Sequence, residues 1–158
     1  MLDAVPAGPP PVDAPFCPAS RLCYLEAGDG EPVALFLHGW GDSKEIWRPA
    51  LAALAARGRR AIAPDLPGHG GSQLAGAARM AHLAERVVAL AEARGLRSFD
   101  LVGHSMGGNV ALELALARPA LVRRLVLVAP AALGPEMPAY TRIYLHPAAG
   151  WAALRATL

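Results

Sequence analysis

Residues 99–108 read Phe-Asp-Leu-Val-Gly-His-Ser-Met-Gly-Gly. Phe99 to Val102 has the apolar character of a buried strand. Gly103-His104-Ser105-Met106-Gly107 is a G-x-S-x-G motif, and after it Val110, Ala111, Leu114 and Ala115 recur at helical spacing. Strand, motif and helix in that order are the setting in which this motif carries weight. A serine on a sharp strand-to-helix turn is held in strained backbone with its hydroxyl exposed. The chain can fold back that tightly only if the residues two before and two after it lack side chains, and Gly103 and Gly107 meet that need. The turn also leaves backbone N–H groups free at the start of the helix, where they can meet developing negative charge. A glycine-rich phosphate loop is the competing reading. It is poorer, because no G-x-G-x-x-G is present and no lysine follows these glycines.

On either side of the motif, strands alternate with helices. Arg21 to Ala27 reads as a strand, and Gly28-Asp29-Gly30 as a turn after which a hairpin is expected. Pro32 to Leu37 is a short apolar run that suits a strand buried on both faces. The loop His38-Gly39-Trp40-Gly41 follows it. Ser43 is placed to cap a helix from about Lys44, with Ile46, Trp47, Leu51 and Leu54 on its apolar side and Gly58 as its stop. Arg60 to Pro64 is another strand, and it ends in the turn-dense run Asp65 to Ser72. A helix from about Ala77 to Arg94 carries Met80, Leu83, Val87, Leu90 and Ala91 at helical spacing and stops at Gly95. Leu125 to Ala129 is the last clear strand. This alternation predicts an α/β fold, a mostly parallel sheet with helices on both faces. In such sheets ligands sit at the carboxyl ends of the strands. The loops at His38, Asp65 and Ser105 all follow strands, so they are expected to converge on one edge.

Composition narrows the function classes. At 54% hydrophobic and 18% charged, the 158-residue chain is globular and not disordered. A net charge of +2 with scattered basic residues argues against a nucleic-acid partner. Cys17 and Cys23 fit neither a disulfide framework nor a zinc pattern, and reduced thiols are expected. No signal peptide and no run long enough for a membrane span are visible. A cytoplasmic location is the expectation. Residues 1–20, rich in Pro and Ala, read as a poorly ordered leader; residues 21–134 read as the core.

Three motifs, His-Gly-Trp-Gly at 38–41, Asp-Leu-Pro-Gly-His-Gly at 65–70 and Gly-His-Ser-Met-Gly-Gly at 103–108, together resemble the α/β-hydrolase fold family, in particular its capped esterase, lipase and C–C hydrolase group. The resemblance implies that Ser105 is a nucleophile and that the backbone N–H groups of Trp40 and Met106 form an oxyanion hole. Gly39 would let the loop approach the substrate, and the Trp40 and Met106 side chains would line the acyl pocket. Gly103, His104 and Gly107 would shape the elbow. Dehalogenase and epoxide-hydrolase chemistry is disfavoured, because those relatives carry Asp at the position of Ser105. The implied substrate is a small-molecule ester, or a related acyl or C–C bond, with no cofactor and no metal.

The family's acid and histidine come late in the chain, in the order Ser, Asp or Glu, His. Residues 135–158 read as the start of a cap, and the chain is expected to be a truncated piece that stops before the last strands and has very low activity of its own. His38, His69, His82 and His104 are all expected to be structural or superficial, and Asp100 to cap or face solvent. Glu136 and His146 are the remaining candidates in the right order, on the least regular part of the chain. An exposed sheet edge at Leu125 would favour self-association. The alternative reading is a non-catalytic ligand-binding or interaction module on a hydrolase scaffold.

Overall fold

The computed structural model describes residues 14–74 and 79–131. Six strands form one sheet: β1 (Phe16–Cys17), β2 (Leu22–Ala27), β3 (Ala34–Leu37), β4 (Ala61–Pro64), β5 (Phe99–His104) and β6 (Val122–Val128), in the order β1-β2-β4-β3-β5-β6. β3 pairs in parallel with β4 and with β5, and β5 with β6; β1–β2 and β2–β4 are antiparallel. The expected α/β architecture is present, and three helices complete the described part: α1 (Arg48–Ala55), α2 (Met80–Ala93) and α3 (Met106–Ala117).

β3 lies between the next two strands of the chain, so the chain order reverses at its carboxyl end. Such a reversal opens a crevice in a parallel sheet. α1 packs on one face, where Leu51 joins Ala34, Phe36, Ala61 and Ala63. α2 and α3 cover the other face, where Val87, Leu90, Val110 and Leu114 meet Leu35, Leu37 and Leu101. β3 and β4 are buried along their whole length, which is why they read as unbroken apolar runs. Each such Leu or Ile contributes roughly 1.5–3 kcal/mol when fully buried.

Several sequence expectations change. The turn at Gly28-Asp29-Gly30 does not make a hairpin of β2 and β3, because β4 lies between them. Residues 14–20, assigned to the leader, are tied to the sheet: Phe16 and Cys17 pair with Cys23 and Leu22, and Ser20 is fully buried. The helix after Ser43 begins as a 3-10 turn over Lys44–Trp47, with Ser43 Oγ accepting from the Glu45 N–H, and Ile46 is exposed while Lys44 is buried. α2 starts at Met80, and residues 75–78 lie outside the described residues. β6 is longer than expected and forms the far edge among the described residues, with Leu125 and Leu127 against the α2–α3 core and Val126 and Val128 exposed. Asp100 neither caps nor faces solvent. It is buried at the base of β5 and bonded to Arg59 (2.9 Å) and Arg123, so it ties the segment before β4 and strand β6 to β5. Burial raises its carboxyl, but the hydrogen bonds from Arg123 and Arg59 together outweigh this and hold it below the ordinary 3.8.

Candidate active site

Ser105 sits between the last residue of β5 and the first of α3 with φ 51° and ψ −119°. L-residues rarely adopt such a conformation, and it costs on the order of 1–3 kcal/mol. The surrounding bonds enforce it. The Ser105 N–H donates to the Val128 carbonyl at 3.0 Å, and the Ser105 carbonyl accepts from the Gly108 (2.9 Å) and Ala131 (3.1 Å) N–H groups. Both flanking glycines are sterically required. A Cβ on Gly103 would overlap the Gly107 carbonyl, and one on Gly107 would lie 2.5 Å from the Leu37 and His38 carbonyl oxygens. The Ser105 side chain is partly exposed, and its hydroxyl has no hydrogen-bond partner among the described residues.

The loop after β3 packs directly on this elbow. A Cβ on Gly39 would come within 3.2 Å of the Ser105 Cβ and of the His104 Nδ1, tighter than side chains ordinarily pack, so the elbow would have to shift to admit it. The Asp42 N–H donates to the Gly39 carbonyl (3.4 Å), and Gly41 takes φ 72°. A hydrogen bond from the fourth residue to the first and a positive φ at the third are the features of a type II turn. Neither the Trp40 N–H nor the Met106 N–H donates to a protein group among the described residues. For Met106 this follows from its place in the first turn of α3, where no intrahelical acceptor exists.

Each described histidine has its place. His38 is fully buried; its Nε2 accepts the Leu66 N–H at 2.9 Å, so its Nδ1 carries the proton and donates to the Gly39 carbonyl at 2.8 Å. Both nitrogens are engaged. Burial lowers its affinity for a second proton, and the Gly39 bond opposes this only in part. His69 lies edge-on to both His38 and Trp40, at 5.1 and 5.7 Å between ring centroids, with its Nδ1 3.2 Å from the Pro67 carbonyl. It is therefore nearer the site than a turn residue need be, though nothing bonds it to Ser105. His104 places its Nδ1 against the Gly39 loop, buried and without a hydrogen-bond partner among the described residues. His82 is on α2 beside Glu85. Trp40 is not core: 54% of it is exposed, at the mouth beside Ser105's loop. Met106 is buried. Glu136 and His146 lie outside the described residues.

Sequence reasoning missed the Lys44–Asp65 ion pair. Lys44 Nζ is 2.7 Å from Asp65 Oδ2, and the Lys44 N–H donates to Oδ1 at 2.8 Å, with both side chains buried. Asp65 also takes the Gly71 N–H at 2.9 Å, and a Cβ on Gly70 would overlap its carboxylate. Ser72 Oγ donates to the Asp65 carbonyl (2.7 Å) and accepts the Cys23 N–H (2.8 Å), which fastens the loop to β2. Two hints stood in the sequence: Lys44 is its single lysine, and the glycines follow Asp65 at a spacing that lets backbone close around a carboxylate. A groove of about 240 Å³ between α2 and α3, lined in part by Ala84, Val88, Glu113 and Leu114, contains none of these groups.

The fold and this turn define an α/β protein that presents a strained serine at a strand-to-helix elbow. The chain belongs to the α/β-hydrolase fold family, whose sequence model matches residues 32–155. It is 39% identical over 108 residues to a pimeloyl-[acyl-carrier protein] methyl ester esterase of Yersinia pseudotuberculosis, covering 68% of this chain and 40% of that one. It is 39% identical over 116 residues to the dihydrolipoyllysine-residue acetyltransferase component of the acetoin cleaving system of Cupriavidus necator, covering 72% and 30%. An epoxide hydrolase from an endophytic Streptomyces superposes with TM-score 0.78 at 29% identity, covering 90% of this chain and 48% of that one. The chain thus spans less than half of each of these proteins.

Proposed function

We propose that the site serves a serine hydrolase in which Ser105 attacks the acyl carbon of a carboxylic ester. The observation that carries this reading is the strained Ser105 backbone beside the N–H groups of Trp40 and Met106, which are unpaired among the described residues. The hydroxyl oxygen forms the new bond to the acyl carbon. The oxyanion that results is met by the two N–H donors, each worth about 3–4 kcal/mol of barrier in such sites. Collapse expels the alcohol, and water then releases the acid. The esterase among its relatives supports an ester over other acyl compounds, and a related C–C bond is the second substrate class. The serine at position 105 is also what favours acyl transfer over epoxide opening, despite the epoxide-hydrolase neighbour.

The proton acceptor and its acid are proposed for the part of the chain after Ser105, with Glu136 and His146 as the candidates in this sequence. Exposed Trp40 and buried Met106 would form the acyl wall. A fluorophosphonate probe tests the nucleophile. Labelling should map to Ser105 by peptide mass spectrometry, and both labelling and p-nitrophenyl ester hydrolysis should vanish in Ser105→Ala. Equal labelling of the variant would remove the assignment.

One observation favours the second reading, a binding module without turnover. Among the described residues no histidine hydrogen-bonds to Ser105, and His38 is committed at both nitrogens. An ester analogue that raises Tm in both the parent and Ser105→Ala without being hydrolysed would support that reading.

A further inference from the structure

The loop that carries Trp40 is anchored at both ends to two adjacent residues of the β4–α2 connection. At its first end His38 Nε2 accepts the Leu66 N–H (2.9 Å), while Nδ1 holds the Gly39 carbonyl (2.8 Å). At its other end Lys44 meets the Asp65 carboxylate twice, through its N–H (2.8 Å) and its Nζ (2.7 Å). Asp65, Leu66 and His38 are fully buried, and Lys44 nearly so. Between the anchors the loop is restrained by the Asp42 N–H to the Gly39 carbonyl, by the Ser43 N–H to Asp42 Oδ1 at 3.0 Å, by Ser43 accepting the Glu45 and Ile46 N–H groups, and by the edge contact of Trp40 with His69. Trp40 itself is over half exposed. The position of its N–H relative to Ser105 is therefore set from the ends and from the Gly39 contact with the elbow.

From this we infer that Lys44 and Asp65 are positioning residues that hold the Trp40 N–H in register with Ser105. The inference rests on the hydrolase reading for its catalytic consequence. The restraint on the loop stands on the hydrogen bonds alone. An ion pair buried only to fasten the β4–α2 connection would not need the lysine's own backbone N–H. Here that N–H occupies the second carboxylate oxygen, which fixes the path of residues 43–44 as well as the side chain. Donors aimed at an oxyanion act on the transition state and little on the bound ester, and small displacements of such groups are costly. Loosening the loop should lower kcat and leave KM nearly unchanged.

The test uses the full chain with Lys44→Met, Lys44→Arg, the double variant Lys44→Met/Asp65→Asn, and Ser105→Ala as control. Amide hydrogen exchange is followed at residues 38–44 and 65–72, beside kcat and KM for p-nitrophenyl acetate. In Lys44→Met, exchange should rise about tenfold in both segments together. At the same time kcat should fall about tenfold with KM within about twofold, and Lys44→Arg should recover much of both. If Lys44→Met does not fold, the double variant, which leaves no lone buried charge, gives the same two readings. The inference is overturned if exchange rises at 65–72 alone while 38–44 matches the parent, because the pair then serves only the second loop. If Ser105→Ala hydrolyses the ester as fast as the parent, the hydrolase reading fails, and exchange at 38–44 still decides the restraint.

Discussion

A Cβ on Gly107 would stand 2.5 Å from the carbonyl oxygen of His38. The first turn of α3 and the end of β3 are in backbone contact, and that contact brings the elbow serine and the Trp40 loop to one place. Neither partner in the contact is a flexible side chain, so nothing can yield cheaply. Gly107→Ala is expected to destabilise the fold by about 1–3 kcal/mol and to slow probe labelling of Ser105. Urea unfolding and labelling rates measured on the same preparation check both halves. A variant as stable and as reactive as the parent would contradict the packing.

The backbone strain at Ser105 predicts a stability gain where reactivity is lost. With φ 51° and ψ −119°, the position suits glycine better than any L-residue. Ser105→Gly should be more stable than Ser105→Ala by about 1 kcal/mol, with both unreactive toward a fluorophosphonate. Thermal melts of the two variants read the difference. Equal melting temperatures would mean that the elbow is not strained in solution.

Removing one partner of the buried Lys44–Asp65 pair leaves an uncompensated charge. Lys44→Met should therefore cost about 3–5 kcal/mol, and adding Asp65→Asn should return a large part of the loss. A double-mutant cycle by denaturant unfolding measures the coupling. Simple additivity of the two single losses would show that the pair is not coupled.

Among the described residues, His38 and Asp100 both contribute to the pH dependence of stability. His38 binds its proton less readily when folded than the ordinary 6.5, so the unfolded chain takes up more protons below that value. Its contribution is complete above pH 6.5 and declines as the pH falls from there towards the folded value. Protonation would also remove the acceptor for the Leu66 N–H. Asp100 is held below its ordinary 3.8, so its contribution is full above 3.8 and is lost only as the pH falls through the lower folded value. Tm should thus decline in two limbs. His38→Gln should flatten the first, and Asp100→Asn the second. A Tm that is level from about pH 7 to about pH 5 would exclude the His38 limb.

Among the described residues β6 is an edge of the sheet, and its face carries exposed Val126 and Val128, which predicts self-association there. Sedimentation of the parent against Val126→Lys checks it: the expected outcome is a concentration-dependent oligomer that the lysine disperses.

The elbow was legible because its requirement is local. A serine at a left-handed turn needs small neighbours at fixed offsets, and Gly103 and Gly107 record that need in the sequence. The order of buried strands was legible for the same kind of reason, since β3 and β4 are covered on both faces and show it as apolar runs. Strand adjacency was less so. The turn after β2 looks like any hairpin turn, and only the insertion of β4 shows that β2 pairs elsewhere. Ile46, read as apolar-side, is exposed and Lys44 is buried, because a 3-10 turn rotates its residues differently from an α-helix and because Asp65 draws the lysine inward.

Relations between neighbours along the chain were enough to specify the α/β alternation, the strand–serine–helix turn, and the convergence of three loops on one sheet edge. Tertiary structure alone decided the pairings across it. It joined Lys44 to Asp65, His38 to Leu66, and Asp100 to Arg59 and Arg123. The physical reason is range. Steric and periodic demands act within a few residues and leave a pattern in the sequence. A buried charge or imidazole needs a partner of the right chemistry in space, and many positions in the chain could supply one until folding brings a particular pair together.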